Sequence, residues 1–160
     1  MNIIIAFVLV FGYAATFVAI YRTVPRSMSQ TVFSLHRGWR WIWTAVIVAV
    51  AFLTMPRLME EASEPTQFLG FLACGSLLIV GVCPLVQQEG EISYIIHMVM
   101  AYTCAVASQL LVLMNKPTML LGWMPWLIVF AIRRYGNKKW NAQAFWAEIV
   151  CFVVIFLYGF

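Results

Sequence analysis

Six runs of mostly apolar residues, separated by short polar stretches, divide the chain: 2–21, 39–55, 67–86, 91–114, 118–132 and 142–158. A helix rises about 1.5 Å per residue, so ~20 apolar residues cross the ~30 Å hydrocarbon core of a bilayer. The pattern predicts an all-α fold: an integral membrane bundle of six transmembrane helices, forming a single domain over residues 1–160. The fourth run shows how such a helix packs. At about 100° per residue, Ser93, His97, Ala101, Cys104 and Ser108 share one face, and Ile95, Val99, Tyr102, Val106 and Leu113 lie opposite. The small, weakly polar stripe is expected against other helices and the bulky face against lipid.

The remaining runs carry their own signals. The first has no basic residues before it and continues into Arg22 and Arg26, so it reads as a retained span and not as a signal peptide. In the connection that follows, Val24-Pro25 breaks the helix, and Ser27 or Ser29 can cap a short helix over 29–37 that carries Val32, Phe33 and Leu35. That segment lies along the membrane surface or is an ordinary basic loop. Trp39, Trp41 and Trp43 place the start of the second span at headgroup level. In the third span Gly70, Cys74 and Gly81 share a face that permits close helix approach, and Cys83-Pro84 bends or ends it. The fifth span is short and interrupted by Gly122 and Pro125, which predicts a kink or a locally thinned bilayer.

Composition agrees with lipid as the solvent. Hydrophobic residues make up 64% of the chain and charged residues only 10%, against roughly a quarter charged in soluble domains. The net charge of +4 does not indicate nucleic acid, because the basic residues sit in short loops. The first and fifth loops hold Arg22, Arg26, Arg37, Arg40, Arg133, Arg134, Lys138 and Lys139, whereas the second and fourth hold only Arg57 and Lys116. The bias puts the odd loops in the cytoplasm and both termini on the non-cytoplasmic side, with a bacterial inner membrane as the expected location. Cys74, Cys83, Cys104 and Cys151 each lie inside an apolar run without a C-x-x-C pair, and read as packing residues.

Two titratable side chains lie within spans, His97 and Glu148. Both spans enter from the cytoplasm, so both residues reach a similar depth of roughly 8–10 Å. Thr16, Thr44 and Gly81 reach a similar layer. The layer is either a proton-linked or ligand-binding site with His97 and Glu148 as charge partners, or a buried hydrogen-bonded pair that sets helix register; a glutamate snorkelling to the surface is a third reading. No catalytic residue is assigned: Ser76 and Ser108 have no base at a telling spacing, His36 and His97 make a weak metal site, and no metal or cofactor is expected.

The stretch holding Gly81, Pro84, His97 and Ala101 resembles a six-span bacterial membrane family in which the third span ends in a Gly-x-x-Pro pattern and the fourth begins near a histidine followed by small residues. Cys83 stands where that family usually has an aromatic, and Pro25 and Ser27 fit its first loop loosely. The resemblance covers about a third of the chain, implies a six-helix bundle and carries no established activity. A more distant likeness to ceramidase-like membrane hydrolases fails on chemistry, since a zinc site of that kind needs several His and an Asp, and this chain has two His and no Asp. The functional expectation is non-enzymatic binding of a lipid or a partner helix within the bilayer. The alternatives are a small transporter or channel subunit using the His97/Glu148 layer, and an intramembrane lipid-modifying enzyme. The expected partners are membrane lipids, with a homo-oligomer or another membrane protein as further partners, and no nucleic acid.

Overall fold

The computed structural model of the chain describes residues 2–86, 91–136 and 141–160, without the side chains of 37, 86 and 91–93. The turn expected at 87–90, the side chain of Ser93, and Lys138 and Lys139 therefore lie outside the described residues. Every described element is helical: α1 (Asn2–Tyr21), α2 (Thr31–Ser34), α3 (Arg40–Glu61), α4 (Gln67–Val86), α5 (Glu91–Asn115), α6 (Met124–Tyr135) and α7 (Gln143–Gly159), with tighter 3-10 turns at Arg37–Trp39, Glu64–Thr66 and Pro117–Trp123. Four helices are long and apolar enough to cross a membrane, covering Asn2–Tyr21, Arg40–Glu61, Glu64–Leu85 and Tyr94–Asn115; α7 is equally apolar but shorter, at 17 residues.

Periodicity explains which faces meet. In α1 the buried residues Ile3, Ala6, Val10, Ala14 and Phe17 recur every three or four positions, while Ile4, Ile5 and Val8 face outward. In α3 the stripe is Trp43, Ile47, Val50, Thr54 and Leu58. α3 is central and packs on α1, α4 and α7; α5 closes the bundle against α4 and α7. Outward residues such as Phe52, Phe71, Tyr102 and Leu113 remain exposed apolar surface, which is compatible with a bundle solvated by lipid. Two core clusters result, one around Val10, Val32, Trp43 and Ile47 and one around Leu58, Leu111, Val112 and Tyr158.

Three features differ from the periodicity reading. α3 runs through Pro56 to Glu61, past the expected end at 55. Pro56 removes one helical N–H, which a helix packed by neighbours tolerates. The fifth run is broken into a 3-10 segment, Pro117–Trp123, and α6, with no buried residue in either. Pro125 in the first turn of α6 starts a new helix, as its preset φ favours. Helical structure in the first connection is limited to the single turn Thr31–Ser34 and the 3-10 turn Arg37–Trp39, and the connection tucks into the bundle: Met28, Thr31 and Val32 are fully enclosed and belong with the core of α1, α3 and α7.

Candidate functional site

The polar groups of the bundle fall into four sets, and each is positioned by a feature of the local sequence. The first set joins the first connection to α7 and α1. The Glu148 carboxylate accepts a hydrogen bond from the backbone N–H of Met28. The Phe145 N–H donates to the Arg26 carbonyl at 2.9 Å, so the first turns of α7 grip the connection at two points. The Thr31 hydroxyl donates to the Met28 carbonyl at 2.5 Å and lies 2.7 Å from the Tyr13 hydroxyl of α1. The Tyr13 ring in turn packs against Trp43, with centroids 5.5 Å apart. α1 stops at Tyr21, and Arg22 takes a left-handed conformation (φ 53°), so the chain has left the helical path before Pro25 and turns to bring Met28 inward.

The second set lies between α3, α4 and α5. Gly81 has no side chain, so α3 approaches closely and the Thr44 hydroxyl donates to the Gly81 carbonyl at 2.7 Å. His97, only 6% exposed, faces the backbone carbonyl of Val80, yet neither ring nitrogen closes a hydrogen bond.

The third set is near mid-bundle. Gln109 Nε2 donates to Cys151 Sγ at 3.1 Å, and Gln109 Oε1 accepts from Trp123 Nε1 at 2.8 Å. Ser108 Oγ lies 3.8 Å from Cys151 Sγ and donates to the Ala105 carbonyl. Thr54 donates to the Val50 carbonyl and sits 4.0 Å from Cys74 Sγ. The fourth set caps the far end: Arg57 and Lys116 pair with Glu61 at 2.7 and 2.6 Å, Arg57 Nε donates to the Gly159 carbonyl, and Lys116 Nζ donates to the Tyr158 carbonyl. Nearby, Asn115 Oδ1 accepts from the Ser63 N–H.

The expected polar layer is thus divided. His97 and Glu148 share no hydrogen bond: α7 turns Glu148 toward the first connection, while α5 turns His97 toward α4. Thr16 is exposed on the outer face of α1 and joins neither. Thr44 does reach the α3–α4 crossing. Gly70, Cys74 and Gly81 are buried on the inner face of α4, Ser108 is buried on α5, and Ala101 and Cys104 are half-buried. A Cβ on Gly70 would overlap the end of the Met59 side chain, and one on Gly81 would come 2.9 Å from Ile47 Cγ2. Among the described residues no three His, Cys, Asp or Glu side chains converge as a metal ion requires. Tyr13, Thr31 and Gln109 join these sets although periodicity does not single them out. Gln109 had a signal, being an amide inside an apolar span; Thr31 had none, because its burial depends on the fold of the connection.

The chain matches no family model, no curated protein and no solved structure. Elsewhere, between α4 and α5, lies an open apolar groove of about 320 Å³ lined by Leu69, Leu72, Tyr102, Thr103, Val106, Ala107 and Leu110.

Proposed function

We propose that the protein is a six-span, non-enzymatic membrane protein with both termini on the non-cytoplasmic side, and that it binds a lipid acyl chain in the groove between α4 and α5. The observation that carries the binding reading is the groove itself. It is almost entirely apolar and opens onto the exposed apolar surface of the helices, where an acyl chain is the abundant occupant of matching chemistry.

Several lengths and contacts support six crossings. Phe145 meets Arg26 at one end of the bundle, whereas Lys116 meets Tyr158 at the other, so residues 116 and 145 stand at opposite ends. The seven residues of Pro117–Trp123 and the twelve of α6 together reach about 32 Å at the 3-10 and α-helical rises. Arg22, Arg26 and Arg40 gather at the end where α1 stops, and Arg57 and Lys116 at the other end are paired with Glu60 and Glu61. This asymmetry favours the first end as cytoplasmic, in a bacterial inner membrane.

Photo-crosslinking tests the groove. In vesicles containing a phospholipid with a diazirine on its acyl chain, label is expected to concentrate on α4 and α5. Val106→Trp, at a position 57% exposed, should reduce it, while Val8→Trp on the outer face of α1, 60% exposed, should not. Even labelling of all outer faces, unaffected by Val106→Trp, would remove the groove as a binding site. A second reading, a small transporter or channel subunit, is favoured by one observation: the two unpartnered nitrogens of buried His97.

A further inference from the structure

Pro84 lies inside α4. In an α-helix the N–H of residue 84 would donate to the carbonyl of residue 80, and proline has no N–H to give. The Val80 carbonyl therefore lacks its donor within the helix, and Val80 is only 6% exposed, so bulk water does not replace it. Across the α4–α5 interface that same carbonyl faces the ring of His97, itself 6% exposed and without a hydrogen bond at either nitrogen. An unmet donor and an unmet acceptor, both buried, thus oppose one another on adjacent helices, and buried polar groups are almost always paired.

We infer that His97 supplies the Val80 carbonyl with the hydrogen bond that Pro84 withholds, and so latches the last turn of α4 to α5. The latch has a counterpart on the opposite side. The next carbonyl, that of Gly81, accepts from Thr44 of α3 at 2.7 Å. The proline-weakened turn is held by side chains from both neighbouring helices, and its position relative to the bundle depends on them. A neutral His97 that donates to Val80 is confined to one tautomer, because the nitrogen facing the carbonyl must carry the proton. That confinement separates the latch from mere packing of an imidazole ring.

The test is a mutant cycle on the full chain in detergent. Pro84→Ala restores an N–H at residue 84 and returns to Val80 its donor within the helix. His97→Phe keeps a ring but removes both nitrogens. Melting is expected to fall by at least about 2 °C for His97→Phe in the parent, and by clearly less in the Pro84→Ala background. Equal losses in the two backgrounds would overturn the latch, since independent sites add. Nitrogen-15 spectra of histidine-labelled protein give a second readout that does not rely on melting. The His97 signals, identified by their loss in His97→Phe, should report one tautomer in the parent and a mixture in Pro84→Ala. The same tautomer mixture in both proteins would likewise overturn it.

Discussion

Glu148 is the side chain whose role changes most once its surroundings are known. A carboxylate inside a span normally needs a partner, and here that partner is a backbone N–H of a connecting segment, Met28. This makes Glu148 a fastener for the first connection. Glu148→Gln keeps an acceptor oxygen and should retain most of the stability. Glu148→Leu leaves the Met28 N–H bare, at a cost of about 1–3 kcal/mol, and should lower the melting temperature in detergent by several degrees. Identical melting of both variants with the parent would show that the fastener carries no weight. Because Glu148 and His97 share no hydrogen bond, their losses are expected to add within about 0.5 kcal/mol; a strong coupling energy in the double variant would put them back in one site.

Between residues and the whole bundle, α4 and the first connection set the spacing of the helices. The inner face of α4 sets the small residues Gly70, Ala73, Cys74, Ser76 and Gly81 among Leu69, Leu77 and Val80, and at Gly81 it lets α3 close in. Gly81→Leu should force α3 and α4 apart at Ile47 and lower the melting temperature, whereas Gly75→Leu, where an added Cβ meets nothing within 4 Å, should not. Equal behaviour of the two would mean that the α3–α4 crossing tolerates any side chain. The connection is tested in the same way. Met28 is 2% exposed and Phe33 is 43% exposed, so Met28→Ala should cost about 2–5 kcal/mol, as core truncations do, and Phe33→Ala little. The reverse order would place the segment on the membrane surface after all.

At the scale of the molecule, the two ends of the bundle differ in charge and in construction. One end gathers Arg22, Arg26 and Arg40 around the first connection; the other is a compact network in which Glu61 sits between Arg57 and Lys116, with Lys116 also 5.3 Å above the Tyr158 ring. The members of this network are partly exposed, so solvent screens its ion pairs and each contributes little. Lys116→Met should therefore cost a small amount of stability that shrinks in high salt; a large, salt-independent loss would point to packing and not charge. Membrane-impermeant thiol labelling checks the sidedness. Cysteines placed at Arg37 and Lys138 should react from the cytoplasmic side, and those at Glu64 and Phe160 from the opposite side. Reaction of the Glu64 and Lys138 positions from the same side would remove the fifth crossing.

Much of this architecture can be read along the chain because lipid rewards simple patterns. Runs of apolar residues near 20 long mark the four long helices, and period alone separates the faces of α5, whose Ile95, Val99, Tyr102, Val106 and Leu113 are all exposed. The pairing of polar groups follows no such rule. Each long helix has one inner face but several neighbours, and depth alone does not say which neighbour a side chain meets. His97 and Glu148 lie at similar depth in sequence terms, yet rotation about α5 and α7 sends one to Val80 and the other to Met28. Thr16 falls in the same layer and points outward. The inward course of the first connection also depends on contacts between distant segments, such as Phe145 with Arg26, whereas the break in the fifth run is announced by Gly122 and Pro125. Hydrophobic burial has a period and can be seen one helix at a time; hydrogen bonds need two partners, and the second is known only when the chain has folded.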